Sequence, residues 1–455
     1  MRIVVPLQRI LRGVDLTLFS LCAILVLDGL GASAAIGPSS LIWYLVVLVL
    51  FFLPYGLITA ELGAAYPVQG GLHDWIGRAF GPRWAARATW CYWVCVPLGI
   101  PSVYVLAAGI FSQLFLPGLD RRGIVLIALL LTWGTVALGV LRLELGRWVP
   151  NLGAPLKALV ILALGFGGIA FALRHGPANE LSLPALLPRW DAGLAFLPVV
   201  VFNFLGFELV SGASGEMRAP RRDVPRAIAL SGLLIAFFYL FATLGMLLAL
   251  PLAHLSLVQG IVGALEAVFG QTGAGGLVVH ALGVAVLASF LATMVTWTQG
   301  TSRTAVRAAQ EGSLPGILGR LDPRQATPVG AALFSGALAS LVLIGYGLLG
   351  GSDDHYFWSL FAFASIVFLL PYLLLFPAFL KLRRVDPAAS RPYRLPGGAW
   401  FARLAAVVCL AFVLQAIVFF VWVPGLPVDW SFSLPVSIGV ALTLAVGEAL
   451  IRIRR

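Results

Sequence analysis

Apolar stretches of about 20 residues recur along the whole sequence, and this repetition limits the fold more than any other feature. A helix needs about 20 apolar residues to cross the hydrocarbon core of a bilayer. Of the 455 residues, 60% are hydrophobic and 11% are charged, whereas soluble domains average roughly 45–50% and about 25%. The sequence therefore predicts an all-α integral membrane protein with twelve transmembrane helices. The predicted spans are residues 14–37, 41–64, 86–116, 123–141, 152–173, 192–216, 227–252, 274–301, 328–349, 356–380, 402–424 and 430–450.

Basic residues lie mostly on one side of this predicted topology. With the amino terminus inside, 25 of the 30 Lys and Arg residues fall in inner loops or near the termini, and four fall in outer loops. The remaining one, Lys157, lies within a span. Because cytoplasmic loops carry an excess of Lys and Arg, we expect a plasma membrane protein, in bacteria of the inner membrane, with both termini cytoplasmic. Topology then explains the net charge of +11, and no nucleic-acid partner is expected.

The amino-terminal stretch has an alternative interpretation as a cleaved signal peptide. Arg2, Arg9 and Arg12 precede an apolar run, and Ala32-Ser33-Ala34 fits a small-residue cleavage site. Asp28 beside that site argues against cleavage, and the first span of a polytopic chain can itself direct insertion. We therefore expect the first span to remain in the mature protein.

The cysteines and histidines indicate neither a disulfide framework nor a metal site. All four cysteines lie inside apolar runs, where we expect them to pack as small side chains. The five histidines are scattered, and no pair has the spacing of metal ligands. The sequence therefore predicts no metal and no cofactor.

The first predicted span contains a run of small residues. Gly29-Leu30-Gly31-Ala32-Ser33-Ala34 matches G-x-G-x-x-A, but it lies in a membrane span with no βαβ unit around it, so nucleotide binding is not expected. Between Asp28 and Pro38, such a run favours opening of the helix. Open backbone at membrane depth is tolerated only beside a cavity or within protein.

The sixth span contains a second interruption. It stands five helices after the first, so the two occupy corresponding positions in two five-helix halves. Paired broken helices are the signature of an inverted-repeat transporter whose site lies between them. The alternative is that these glycines only let helices pack closely. The interrupting residues are Asn203, Gly206, Glu208, Gly212, Ser214, Gly215 and Glu216.

Four motifs follow in order at the end of span 2, around span 6, after span 8 and after span 10. The motif of span 2 is Pro54-Tyr55-Gly56 to Glu61-Leu62-Gly63-Ala64-Ala65-Tyr66-Pro67, with Gly70-Gly71, Trp75 and Ala79-Phe80-Gly81. The motif of span 6 is Phe204-Leu205-Gly206-Phe207-Glu208, with Gly215-Glu216-Met217-Arg218-Ala219-Pro220 to Arg226. The motif after span 8 is Ser302-Arg303 to Ala309-Gln310-Glu311-Gly312-Ser313-Leu314-Pro315 with Pro328, and the motif after span 10 is Arg391-Pro392-Tyr393-Arg394-Leu395-Pro396-Gly397-Gly398. Together they resemble the motifs of amino acid permeases of the amino acid–polyamine–organocation superfamily.

This resemblance implies one transmembrane domain, 1–455, with a leucine-transporter-like fold. Two five-helix repeats, 14–174 and 192–381, would be related by inversion, and 402–450 would add two peripheral helices. In the family, the opened part of span 1 offers amides to the substrate carboxylate, and that of span 6 offers carbonyls to its amino group. By position these segments are Gly31, Ala32 and Ser33, where the common G-S-G is replaced, and Phe202 to Gly206, which includes Leu205.

The resemblance also places side chains in the substrate pocket. Phe202 corresponds to an aromatic gate in span 6, and Trp297 to a pocket tryptophan in span 8. Val96 and Ile100 correspond to wall residues in span 3, and an apolar wall favours a neutral substrate side chain. The alternative for each aromatic residue is ordinary packing, since the chain has 52 aromatics.

Three ionisable residues lie near the middles of their spans: Asp28, Lys157 and Glu208. A charge at that depth costs about 2.5–3.5 kcal/mol on insertion scales unless it faces a cavity or a partner. By resemblance, Lys157 places its ammonium where sodium-coupled relatives hold their ion, so it is a coupling candidate; the alternative is a static pair with a carboxylate. Asp28 and Glu208 are competing proton carriers.

The sequence therefore predicts a secondary-active amino acid permease that works by alternating access. We expect it to be sodium-independent and either proton-coupled or exchanging. The alternatives are a polyamine or amine transporter, since Asp28 and Glu208 could surround a cation, and an amino acid antiporter. No motif of an enzyme is found, and no catalytic residue is expected. The expected partners are a small-molecule substrate, the lipid bilayer and protons, and the sequence does not specify an oligomeric state.

Overall fold

The computed structural model describes residues 13–67, 71–140, 143–212, 219–255, 260–323, 325, 327–348 and 353–453. The regular structure in these residues is helical. A π-helical turn, Leu48–Phe52, links the α-helices Ser40–Val47 and Leu53–Ala65. The helices are α1 (Gly13–Ile24), α2 (Leu30–Ala35), α3 (Ser40–Val47), α4 (Leu53–Ala65), α5 (Leu72–Phe80), α6 (Pro82–Phe115), α7 (Arg121–Val140), α8 (Leu143–His175), α9 (Leu183–Leu186), α10 (Leu197–Asn203), α11 (Phe207–Gly212), α12 (Pro220–Ala249), α13 (Gly260–Phe269), α14 (Gly273–Gln310), α15 (Val329–Leu348), α16 (Asp353–Leu369), α17 (Tyr372–Val385), α18 (Gly398–Phe419) and α19 (Trp430–Ile453).

The prediction of an all-helical membrane protein is confirmed. Among the described residues, eleven segments are long and apolar enough to cross a membrane. The first predicted span, 14–37, is divided into the short helices α1 and α2. Several helices continue past the apolar stretches that predict them, since α6 has 34 residues and α14 has 38.

Some predictions concern residues outside the described ranges. The placement of the two termini depends on residues 1–12 and 454–455, and the second half of the span 6 motif includes Gly215 and Glu216. Gly70 of the first motif also lies outside. These predictions stay predictions.

The helices divide into a buried centre and a periphery. Of the apolar part of α6, 83% is buried inside the protein, whereas for α19 the share is 11%. The helix α6 packs against α14 and α16. The surface of α19 therefore faces outward, which in a membrane protein means towards lipid or another protein.

Two central helices touch through their backbones. A Cβ atom added at Gly168 on α8 would lie 2.2 Å from the carbonyl oxygen of Gly245 on α12. Small residues let membrane helices approach this closely. The contact fixes α8 and α12 against each other, and both helices contribute to the site through Lys157 and Tyr239.

Two of the sequence motifs meet at the end of α4. The carboxylate of Glu61 accepts hydrogen bonds from Nε of Arg383 at 2.8 Å and from the amide of Leu395 at 2.7 Å. The Nε atom of Arg391 lies 3.5 Å from the same carboxylate. The side chain of Glu61 is only 2% exposed, so these partners compensate a buried charge that would otherwise be costly.

A second polar contact joins α5 to the end of α14. Nδ1 of His73 lies 2.7 Å from the hydroxyl of Thr89, and Nε2 lies 3.0 Å from a carboxylate oxygen of Glu311. Burial alone would raise the pKa of Glu311, but the hydrogen bond and charge of His73, together with Arg307, hold this pKa below its ordinary value. The motif after span 8 is thus bonded to α5, the helix that lies within the first motif.

Candidate functional site

Span 1 is open between α1 and α2, over residues 25–29. The phenol of Tyr239 bonds the chain where this gap begins, because it donates to the carbonyl oxygen of Ile24 (2.5 Å) and accepts from the amide of Val26 (2.8 Å). A helix end leaves carbonyl groups without intrahelical partners, and the bilayer core offers no water to replace them. Tyr239 therefore lets the chain leave the helix after Ile24.

Two more side chains bind the carbonyl end of α1. The ammonium of Lys157 donates to the carbonyl oxygen of Cys22, and Nε1 of Trp297 donates to that of Ala23 at 2.9 Å. Lys157 is fully buried. The carbonyl end of a helix carries negative partial charge and stabilises a cation. The opened end of span 1 is thus held from α8 and from α14.

The predicted position of this opening is wrong. Gly31, Ala32 and Ser33 belong to α2, and the amide of Ser33 donates to the carbonyl oxygen of Gly29 at 2.9 Å. None of the three lines the cavity described below. Alanine is the strongest helix former, so the small-residue run continues as helix once Tyr239 has stabilised the break before it.

Span 6 is open between α10 and α11, over residues 204–206. Gly206 has φ +131°, a conformation that side chains with a Cβ rarely adopt. The phenol oxygen of Tyr55 accepts from the amides of Gly206 (3.0 Å) and Phe207 (2.9 Å). The predicted opening from Phe202 to Gly206 overlaps this segment, although Phe202 is still helical.

Glu208 follows the opening in span 6 and is surrounded by tyrosines. It accepts hydrogen bonds from the phenols of Tyr55, of Tyr92 at 2.9 Å and of Tyr372 at 2.7 Å. Glu208 is 2% exposed. Its partners come from α4, α6 and α17, so its carboxylate joins the opened part of span 6 to three other helices. This tyrosine network is absent from the sequence predictions.

The two opened spans approach each other closely. A Cβ atom added at Gly29 would lie 2.5 Å from Oδ1 of Asn203. The amide of Asn203 donates to the hydroxyls of Ser33 and Tyr44, each at 3.2 Å. Ser33 therefore links the two spans, which differs from the role in substrate binding that its position predicts.

A cavity lies between the opened spans and the helices α6, α14 and α16. Five predicted residues line it: Asp28, Val96, Phe202, Leu205 and Trp297. The structure thus brings together predicted residues from four spans. Gly206 does not line the cavity but packs against a lining residue, since a Cβ atom at Gly206 would lie 3.3 Å from the ring of Trp297.

Ile100 is a predicted wall residue that does not line the cavity. It is buried with 1% exposure, while Gly99, Ser102 and Val103 of the same helix face the cavity. At about 100° per residue, Ile100 falls just past the edge of the face that these residues form with Val96. Ile100 therefore does not line the cavity in this conformation, and its role in substrate binding stays a prediction.

Lys157 and Glu208 are also outside the cavity lining. Lys157 binds the carbonyl end of α1, and Glu208 binds the tyrosines. Asp28 is thus the one charged side chain among the described residues that line the cavity. The electrostatic character of the cavity depends on this carboxylate.

Aromatic rings form much of the remaining wall. The ring centre of Phe202 lies 5.1 Å from that of Phe361 and 5.5 Å from that of Phe368. Phe368 in turn lies 5.2 Å from Trp297. These distances are typical of edge-to-face packing. The sequence predictions miss Phe361 and Phe368, because α16 carries many aromatics and their spacing does not distinguish cavity from packing.

Polar atoms at the cavity wall are few. Besides Asp28, the lining includes the hydroxyls of Ser102 and Ser365 and the thiol of Cys95. Cys95, which the sequence predicts to pack as a small side chain, thus also lines the cavity. No group of three or more His, Cys, Asp or Glu side chains suited to a metal occurs in the part of the chain that the structure describes.

The cavity has a volume of about 70 Å³. Clefts that hold small ligands usually measure about 300–1,000 Å³. In this conformation the cavity is therefore smaller than the usual cleft for such a ligand.

With this geometry, the comparisons with known proteins identify the class. The family model described as amino acid permease matches residues 11–446. The chain belongs to this family, a branch of the amino acid–polyamine–organocation superfamily. The family prediction made from the four motifs is confirmed.

Individual relatives carry the names of transporters. A probable agmatine/putrescine antiporter, AguD, of Lactococcus lactis is 33% identical over 95% of this chain and 92% of its own length. The branched-chain amino acid permease BcaP of Bacillus subtilis is 26% identical over 90% of this chain and 88% of its own length. A probable polyamine transporter of Arabidopsis thaliana is 27% identical over 85% and 77%. The relatives thus include both amino acid and amine transporters.

Proposed function

We propose that this protein is a secondary-active permease for an organic amine that is cationic at neutral pH. The observation that carries the proposal is the single carboxylate of Asp28 among aromatic walls. A buried carboxylate is costly unless it is paired, and no basic side chain is among the described residues that line the cavity with Asp28. A substrate ammonium supplies a countercharge.

The aromatic walls favour the same substrate class. A cation within about 6 Å of the face of Trp, Tyr or Phe is attracted by the ring quadrupole. Phe202, Trp297 and Phe368 surround the cavity that Asp28 enters. A diamine or a guanidino-amine could therefore place one cationic end at Asp28 and the rest of its chain between the rings. The name of the relative from Lactococcus lactis supports this assignment.

An amino acid with a neutral side chain is the second candidate. The family description and the name of BcaP favour it, and Val96 and Leu205 give the cavity an apolar part. Against it, the carboxylate of an amino acid would meet Asp28, and Gly31, Ala32 and Ser33 do not line the cavity. An amine lacks this conflict.

We further propose that transport is by alternating access in a five-plus-five inverted repeat with two peripheral helices. The positions of the breaks support it, since span 1 and span 6 correspond in two halves. With the divided first span, twelve crossings result. The excess of basic residues in the predicted inner loops supports both termini in the cytoplasm and the protein in the plasma membrane, the inner membrane of bacteria.

Lys157 is the proposed coupling residue. Its ammonium binds the carbonyl oxygen of Cys22, so it occupies the place of a cation at the opened end of span 1 and makes sodium unnecessary. The charges of Lys157 and Asp28 also interact through space. A substrate ammonium and the ammonium of Lys157 then compete for the negative charge of Asp28. Release of a proton from Lys157 removes this competition and lets the substrate bind. Such competition leads to exchange of substrate against protons or against another amine.

Uptake into proteoliposomes tests the substrate class. We expect labelled putrescine to accumulate, and unlabelled agmatine to compete better than leucine. Asp28→Asn should reduce putrescine uptake by roughly 100-fold or more, because removal of a buried charge partner costs about 3–5 kcal/mol. Asp74→Asn, which removes a carboxylate paired with Arg78 on α5, serves as the matched control. Leucine uptake that persists in Asp28→Asn, with no uptake of any amine by the wild type, would overturn the amine assignment.

A further inference from the structure

A second cleft, separate from the substrate cavity, opens between α6, α17 and α19. Its volume is about 350 Å³, within the usual range of ligand clefts. Leucines and the ring of Trp90 make up its inner part, including Leu373, Leu374 and Leu444. The cleft lies beside α19, whose side chains mostly face outward, for example Leu442 at 60% exposure. It is therefore open to the bilayer.

The mouth of this cleft is basic. Nε and Nη2 of Arg87 donate to Glu448 at 2.9 and 3.1 Å, and Nε of Arg452 donates to it at 2.8 Å. Arg83, one helical turn before Arg87, is exposed. Two guanidinium groups thus bind one carboxylate, and the exposed Arg83 adds a further positive charge one helical turn away. A guanidinium has five N–H donors, and Glu448 uses only part of those on Arg87 and Arg452.

Trp84 completes the mouth. Its ring is 44% exposed, and the Arg87 guanidinium lies over it at 4.7 Å. Tryptophan is enriched at the level of lipid headgroups. The mouth combines an interfacial ring with excess positive charge, and the inner cleft is apolar. An anionic phospholipid has the matching sequence of groups, a negatively charged headgroup followed by apolar acyl chains.

We propose that this cleft binds one anionic phospholipid, with its phosphate at Arg87 and Arg452 and one acyl chain along the leucines. The charge of the mouth selects an anionic headgroup, and the position on a bilayer-facing surface selects a lipid over a soluble anion. The cleft exists because the helix is interrupted at Leu370 and Pro371, between α16 and α17, which leaves a gap beside α19.

The cleft is next to the network around Glu208. Cys91 and Pro371 line the cleft, and their chain neighbours Tyr92 and Tyr372 donate to Glu208. An acyl chain between α6 and α17 fixes the spacing of the two helices that hold this carboxylate. Bound lipid therefore supports the opened segment of span 6 from outside the substrate cavity.

Binding to the purified, delipidated full chain tests the proposal. Native mass spectrometry should show one phosphatidylglycerol retained, with at least roughly tenfold weaker retention of phosphatidylcholine with the same acyl chains. The double variant Arg87→Gln/Arg452→Gln should bind both lipids alike. Arg222→Gln/Arg403→Gln removes two exposed charges from the same end of the helices and should leave the preference unchanged.

A second variant keeps the test independent of the ion pairs. Leu444→Trp fills the apolar cleft without touching the arginines, and it should weaken phosphatidylglycerol retention while α-helical content is unchanged. Equal retention of the two lipids by the wild type overturns the proposal. Competition by inorganic phosphate also overturns the proposal, because it would show a site for a soluble anion. A dimer that covers the cleft and excludes lipid overturns it as well.

Discussion

The breaks in span 1 and span 6 are stabilised in opposite ways. In span 1 the exposed groups are mostly carbonyls, and donors from three helices bind them, one of which is the ammonium of Lys157. The one amide bonded there, that of Val26, donates to Tyr239. In span 6 the exposed groups are amides, and a single phenol, Tyr55, accepts from both of them and donates to Glu208. One break therefore depends on a buried cation and the other on a buried anion. Loss of a proton from Lys157 would therefore affect the break in span 1, and gain of a proton by Glu208 would affect the break in span 6.

The largest expected effect comes from the backbone of span 6. Gly206→Leu should abolish uptake, because φ +131° excludes a side chain and a Cβ atom would lie 2.9 Å from Ile24. Transport assays on protein that elutes as a single folded species check this. Gly134→Leu is the control, since nothing lies within 4 Å of a Cβ atom there. Normal uptake by Gly206→Leu would show that this break has no strict backbone requirement.

The cation of span 1 should matter for coupling more than for binding. Lys157→Ala should lose proton-driven uptake by roughly tenfold or more, while substrate affinity changes less. The reason is that Lys157 lies outside the cavity lining, so its loss affects coupling without removing a contact to the substrate. The measurement is uptake with an imposed pH gradient, with and without sodium. The control is Lys381→Ala, which removes the only other lysine of the sequence. Lys381 lies near the end of α17 and packs over the ring of Phe80 on α5. A strict sodium requirement in the wild type, or full proton-driven uptake by Lys157→Ala, contradicts the assignment.

Removal of one hydroxyl at each break compares the two directly. Tyr55→Phe leaves the amides of Gly206 and Phe207 without their acceptor and removes one of the three phenols that donate to Glu208. After Tyr239→Phe, by contrast, the Val26 amide still donates to the Ile24 carbonyl at 2.9 Å. Each unsatisfied buried group costs about 1–3 kcal/mol, and more if it is charged. We therefore expect both variants to melt at lower temperature in detergent, and Tyr55→Phe to melt lowest. Tyr393→Phe, in the loop after α17, is the control, and equal melting of all three variants would refute the difference between the breaks.

The sequence was sufficient for the membrane class, the family and the spans that contain the breaks. Apolar length predicts the helices because a bilayer leaves few other solutions. Motif residues such as Glu61 and Leu395 turn out to bond each other. The position of the first break was predicted wrongly at Gly31–Ser33, because the break depends on the hydroxyl of Tyr239, which lies 215 residues after Ile24 in the chain.

The network around Glu208 could not be predicted for a similar reason. Tyr55, Tyr92 and Tyr372 are ordinary residues of three apolar helices, and only the packing brings their hydroxyls to one carboxylate. Asp28 and Trp297 were identified as functional candidates, but their shared cavity and the exclusion of Ile100 depend on helix rotation. Periodicity alone does not resolve a rotation of less than one residue.

Glu61 is synthesised long before the residues that compensate its charge. Arg383 follows it by 322 residues and Leu395 by 334. At about 5–20 residues per second, the ribosome needs roughly 15–60 s to reach them. During that interval the carboxylate must stay in water, at the edge of the inserting chain. The end of α4 can therefore settle only when nearly the whole protein has emerged, and nascent chains that stop before residue 383 should expose this segment to membrane proteases.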